Sequence, residues 1–173
     1  MLSPELGTGR TIGLSSLEAI AFTPDSRKAY VVSAVGYVFA SIDTQTRAVT
    51  YPATFRPRLP LKAIAVSPDG RRIYAVSASN GTAFAIDPAT DTIVRAGGIT
   101  PDGKTLFVGA TPCSIAFTPD GSKVLIANKA SGTLSVIDLA GNTPIAQITV
   151  GRFPSSVAIS PASHWSHKAS PNQ

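Results

Sequence analysis

Cysteine is nearly absent from this sequence: Cys113 stands alone among 173 residues, so no disulfide framework and no cysteine-built zinc site can form within one chain. Charge is also scarce, at 14% of residues against 43% hydrophobic, which excludes a disordered polyelectrolyte and predicts a packed core. No apolar run reaches the roughly 18 residues that a membrane-spanning helix needs. Met1-Leu2-Ser3-Pro4-Glu5 lacks the basic and apolar regions of a signal peptide, as expected of a cytoplasmic protein or of a fragment without its export signal. Histidine occurs twice, at His164 and His167 in a polar C-terminal stretch, so a Ser-His-Asp triad has no base to draw on. Neither a Gly-x-Ser-x-Gly elbow, a glycine-rich phosphate loop nor a His-Glu-x-x-His helix is present. These absences predict no catalytic residues, no metal site and no cofactor.

Glycine and proline, 14 of each, are abundant instead and suit many short strands joined by tight turns. Their placement is repetitive. Ala19-Ile20-Ala21-Phe22-Thr23-Pro24-Asp25-Ser26 returns as Ala63-Ile64-Ala65-Val66-Ser67-Pro68-Asp69-Gly70 and as Ser114-Ile115-Ala116-Phe117-Thr118-Pro119-Asp120-Gly121. Ser156-Val157-Ala158-Ile159-Ser160-Pro161 begins another copy, and Gly98-Ile99-Thr100-Pro101-Asp102-Gly103 is a degenerate one. Pro24 to Pro68 and Pro119 to Pro161 are intervals of 44 and 42 residues, the length of one propeller blade. Each full repeat also has an apolar run ending in Asp, at Asp43, Asp87 and Asp138. Alternation of apolar and small residues predicts four strands per repeat, A to D, with the small residues of strand A near a crowded axis. Pro presets φ, Asp caps the turn, and Gly70 and Gly121 should take φ > 0. The fold class expected is all-β, a partial β-propeller of about four blades, three near-complete and one defective, in an open arc. The defective blade is placed after Gly98, with Thr105–Gly109 as a surviving second strand. The propeller domain is expected over residues 1–161, incomplete, with a disordered tail over 162–173.

Pro-Asp-Gly, then Tyr30-Val31-Val32-Ser33, Tyr74-Ala75-Val76-Ser77 or Leu125-Ile126-Ala127-Asn128, then an Ile-Asp strand end, resembles the YVTN-type seven-bladed β-propeller repeat. The likeness runs over residues 11 to 161 and is strongest from Pro119 to Gly151. It implies an exported, periplasmic or extracellular bacterial protein that binds ligands or partners through its loop faces, and enzymatic relatives of the lactonase type. A seven-bladed ring needs about 300 residues, so this chain reads as a fragment or rearranged copy.

Asp25, Asp69, Asp102 and Asp120 recur at one place in the repeat, which marks turn chemistry rather than a carboxylate array. Glu18 differs, standing near the axis where other repeats carry Lys62 and Ser114. Cys113, at the start of a strand, reads as filler. The loops joining strand D to A and B to C share one face, and they hold Arg56, Arg58, Lys129 and Arg152, with Arg10 and Lys62 nearby. These four are the candidate ligand-binding residues. The partner expected is an anionic ligand or a protein, with weak nonspecific nucleic-acid binding to the phosphate backbone. Phe55 and Phe153 alone could stack on bases there. Open blade edges predict self-association. The functional expectation is a non-enzymatic binding or scaffold module, the alternative a lactonase-like or cofactor-dependent propeller enzyme.

Overall fold

The computed structural model describes residues 16–35, 37–51, 59–94 and 105–160. Among them there is no helix, and thirteen strands form three antiparallel sheets. The first sheet is β1 (Leu17–Phe22), β2 (Lys28–Ser33), β3 (Phe39–Asp43) and β4 (Val49–Thr50). The second is β5 (Leu61–Val66), β6 (Ile73–Ser77), β7 (Thr82–Asp87) and β8 (Thr92–Ile93), with β9 (Thr105–Phe107) also paired to β7. The third is β10 (Pro112–Phe117), β11 (Lys123–Asn128), β12 (Thr133–Asp138) and β13 (Thr143–Thr149). Within each sheet the strands follow chain order, innermost to outermost. The innermost strands β1, β5 and β10 lie side by side, with β5 in the middle. This is the partial propeller the repeats predict, an open arc of blades.

The segment read as a separate defective blade behaves differently. Thr105–Phe107 builds no sheet of its own. It pairs with Thr82–Phe84 of β7, while β8 pairs with the other end, Ile86–Asp87. The outermost strand of the second blade is therefore split in two. β7 has one free side, and whatever follows an insertion can satisfy its backbone groups only by returning to it. The expected tail at 162–173, with His164 and His167, lies outside the described residues, as do Arg10, Phe55, Asp102, Arg56 and Arg58.

The core sits between blades rather than within them. Tyr30, Val32 and Phe39 of the first blade pack on Leu61, Ile64, Ile73, Phe84 and Ile86 of the second. Tyr74, Val76, Ala83 and Ala85 pack in turn on Val124, Ile126 and Ile137 of the third. Alternation decides this: in β6, Tyr74 and Val76 face one neighbour, Ile73 and Ala75 the other. A hydroxyl latch reinforces both junctions. Tyr74 donates to Asn142 Oδ1 across the second junction. Tyr30 donates to Pro88 O at 3.3 Å and Asp91 Oδ1 at 3.4 Å across the first. Burial pushes both phenols well above their ordinary range, and the charge of Asp91 adds to the rise at Tyr30.

The turns behave as expected. Asp25, Asp69 and Asp120 each accept from the hydroxyl two residues earlier, at 2.5 to 2.6 Å, and from the backbone N–H two residues later, at 3.0 to 3.1 Å. Gly70 and Gly121 have φ of +70° and +67°, and Ser26 takes +57° at the same place.

Candidate functional site

Each innermost strand opens with a bulge. Leu17 pairs with Ser33 and Ala19 with Val32, leaving Glu18 as the extra residue. Lys62 is the extra residue between Leu61 and Ala63, and Cys113 between Pro112 and Ser114. A bulge re-aims one side chain away from the ladder, so Glu18, Lys62 and Cys113 form one row at the entry end of the inner strands. This corrects the sequence-based alignment of Glu18 with Ser114: Ser114 matches Ala19 and Ala63, and Cys113 is the partner of Glu18. The signal was the bulge itself, which simple alternation does not reveal.

Lys62 Nζ donates to Glu18 Oε2 at 2.5 Å, an ion pair joining two blades on the rim. Cys113 is half-buried. Its thiol lies 3.3 Å from the carbonyl oxygen of Pro154. Burial pushes the thiol pKa up against the opposing pull of Lys129 and Lys62, which disfavours the thiolate. After β13 the chain returns to β10, and Val157 N donates to Ser114 Oγ at 3.2 Å, where the inner strand of a following blade would run.

The face that carries this row differs in charge from the opposite one. Every Asp of the described residues lies at an A–B or C–D turn: Asp25, Asp69 and Asp120 at the first, Asp43, Asp87, Asp91 and Asp138 at the second. Hydrogen bonds within the turns occupy them. Gln45 and Thr46 N donate to Asp43, Ala89 N to Asp87, and Gly141 N to Asp138. Donated hydrogen bonds, from Thr23, Ser67 and Thr118 hydroxyls foremost, hold the carboxyls of Asp25, Asp69 and Asp120 below the ordinary range, and backbone bonds do so at Asp43. On the B–C and D–A face, Glu18 is the sole carboxylate of the described residues, against Lys62, Lys129 and Arg152.

Two hollows on that face are architectural copies. In the second blade, Ala78, Ser79, Asn80 and Gly81 of the B–C turn meet Gly109, Ala110 and Thr111 of the link to the next blade, around about 380 Å³. In the third, Ala130, Ser131 and Gly132 meet Thr149, Gly151, Arg152 and Phe153 around about 490 Å³. The turn glycines are required: a Cβ on Gly81 or Gly132 would stand 2.6 or 2.7 Å from a backbone oxygen of the link, and both have positive φ. Thr111 and Phe153 share φ near +55°. The backbones match and the side chains diverge, for Lys129, Arg152 and Phe153 stand where the second blade has Ala78, Ala110 and Thr111. Arg152 and Phe153 line this hollow, and Lys129 stands on the same turn one residue before its lining. The described residues include no group of three or more His, Cys, Asp or Glu able to hold a metal ion, and no helix long and apolar enough to cross a membrane.

The repeated blade, the inter-blade cores and the bulged inner strands define a β-propeller. The chain belongs to the family described as lactonase, 7-bladed beta-propeller, whose model matches residues 33–156. Among solved structures it is similar to Kuenenia stuttgartiensis hydrazine synthase, with 24% identity, a TM-score of 0.74, and coverage of 90% of this chain and 42% of that one. It is also similar to a functionally unknown protein from Desulfotomaculum acetoxidans DSM 771, with 23% identity, a TM-score of 0.67, and coverage of 86% and 47%. Both likenesses concern the fold alone, and the chain spans under half the length of either. No curated protein matches the chain.

Proposed function

We propose that this chain is a non-enzymatic binding module whose B–C and D–A loop face takes an anionic ligand at the hollow of the third blade. Arg152, in the lining of the hollow, and Lys129, one residue before that lining on the B–C turn, supply charge, and Phe153, 64% exposed, supplies a flat apolar surface. One observation carries the reading: two hollows share one backbone, yet only the third blade's hollow has a cation in its lining, Arg152. Conserved architecture with divergent side chains separates what the fold needs from what a ligand needs. Arg56 and Arg58 belong to the same proposed face. Isothermal titration with inorganic tripolyphosphate tests it. Lys129→Ala and Arg152→Ala should each weaken binding about ten-fold and flatten its salt dependence, as loss of a charge-assisted contact does. Arg71→Ala and Arg72→Ala, on the opposite face, should change it little. Equal losses on both faces would reduce the effect to diffuse net charge. A random oligonucleotide should bind more weakly and without sequence preference.

Family membership favours a second reading, in which the chain contributes to lactone hydrolysis. Glu18 is then the candidate base on the rim and Lys62 the residue that positions it. Release of acid from a panel of lactones, abolished by Glu18→Gln, would support it. The YVTN likeness, and the chain's span of under half of its solved relatives, fit a portion of a larger exported bacterial propeller protein.

A further inference from the structure

We infer that the face opposite the anion hollow carries a second site, where a short peptide with one positive and one negative end lies between the first two blades. A hollow of about 730 Å³ opens there, a size that takes a small organic ligand or a short peptide. Tyr30 and Pro88, both buried, form its floor. The A–B and C–D turns of both blades form its walls and bring charges of both signs. Arg27, Lys28, Arg71 and Arg72 are its cations. Asp25, Asp43, Asp69 and Asp87 are its carboxylates, so the lining is neutral in sum. None of these charges pairs with another: the one ion pair among the described residues joins Glu18 to Lys62, on the other face. A ligand of a single sign would meet as many like charges as opposite ones, whereas a ligand of both signs can be matched by the lining.

The three A–B turns separate what the fold needs from what a ligand needs. In all three, Oδ1 of the Asp accepts the hydroxyl and backbone bonds that close the turn. In the third blade Ser122 adds to this, its hydroxyl lying 2.9 Å from both oxygens of Asp120, so turn chemistry occupies the whole carboxylate. In the first two blades Arg27 and Arg71 stand in the place of Ser122. Among the described residues neither guanidinium has a hydrogen-bond partner, and neither has Oδ2 of Asp25 or of Asp69. Asp43 and Asp87 also spend Oδ1 alone, on the backbone N–H groups of Gln45, Thr46 and Ala89. The arginines thus occur in the two blades that flank the hollow, and the self-contained serine turn in the blade that does not line it. A peptide supplies both missing partners. Its carboxylate suits the forked donors of a guanidinium, and its ammonium suits the unspent carboxylate oxygens.

Chemical-shift titration of the isotope-labelled full chain with trialanine, which carries one ammonium and one carboxylate, tests this. The backbone amides of Arg27, Arg71 and Ala89 should shift and saturate together. N-acetyl-trialanine lacks the positive end and trialanine amide the negative one, and each should bind at least about ten-fold more weakly. Arg27→Gln and Arg71→Gln should each weaken trialanine about ten-fold, as loss of one charge-assisted hydrogen bond does, and should leave the weak binding of trialanine amide unchanged. Both side chains are exposed and unpartnered, so the fold should persist, as circular dichroism checks. Saturating tripolyphosphate should not displace trialanine, because its site lies on the other face. Absence of a saturable shift, equal binding of the three peptides, arginine variants without effect on trialanine, or displacement by tripolyphosphate overturns the inference.

Discussion

The Asp of the Pro-Asp turn shows how far one residue's chemistry reaches. Its carboxylate accepts a hydrogen bond from the hydroxyl of the residue two before it and another from the backbone N–H of the residue two after, closing the turn from both sides. Asp120 gains most, and hydrogen bonds from Thr118 and then Ser122 hold its pKa down at about 2. A carboxyl group whose folded pKa lies below its unfolded value lends stability above the unfolded value and loses it as pH falls through the folded one. Asp25, Asp43, Asp69 and Asp120 all shift in this direction. Stability should therefore fall from about pH 4, where unfolded carboxyls titrate, to about pH 2. Urea midpoints measured across that window should show the slope, and Asp120→Asn should make it shallower. The repeat position of these residues already identified them as turn formers in the sequence. Glu18 and Cys113 were harder to place, because a one-residue bulge breaks the alternation from which strand positions are counted.

The link from β9 to β10 shows how an element is fitted to its neighbour. Val108 O accepts from Ser135 Oγ at 2.7 Å and from Gln147 Nε2 at 2.8 Å, which ties the end of the split outer strand to the third blade. Gly109 follows, lying directly over the buried Asn128. A Cβ on Gly109 would stand 2.6 Å from Asn128 Cγ. Gly109→Ala should cost about 1 to 3 kcal/mol, as overpacking does, with a matching drop in the thermal midpoint. Asn128→Ser should recover part of the loss, since Ser33 and Ser77 occupy that position in the other blades. No pattern in residues 98–109 announces this arrangement. The Pro-Asp-Gly at 101–103 imitates a blade entry, and only the free side of β7 reveals that Thr105–Phe107 is an outer strand.

For the whole molecule, stability resides in the two junctions, because each blade buries its apolar side chains against the next. The second blade belongs to both cores and couples the arc. Tyr74→Phe removes one inter-blade hydrogen bond while keeping the ring that packs on Phe117 at 5.8 Å. It should cost about 1 kcal/mol. Tyr30→Phe should cost less, since the hydroxyl there sits at 3.3 and 3.4 Å from its partners. Urea unfolding of both variants, read by far-ultraviolet circular dichroism, checks the order. Equal costs would mean that the latch distances carry no energetic weight.

The sequence by itself determined the blade: its strand periods, its turns, the Asp at each strand end and the small residues of the inner strands all follow from local geometry and a two-residue alternation. It also determined that the chain is an arc of such units, because a repeat whose faces are apolar must stack. Tertiary structure alone decided which side chains meet. The pairing of Glu18 with Lys62, the place of Cys113 on the rim, the assignment of β9 to the second blade, and the meeting of Ser131 and Gly132 with Arg152 and Phe153 at one hollow all join residues that are distant in sequence or displaced by a bulge. Local periodicity carries no information about such contacts, since packing between neighbouring sheets fixes them.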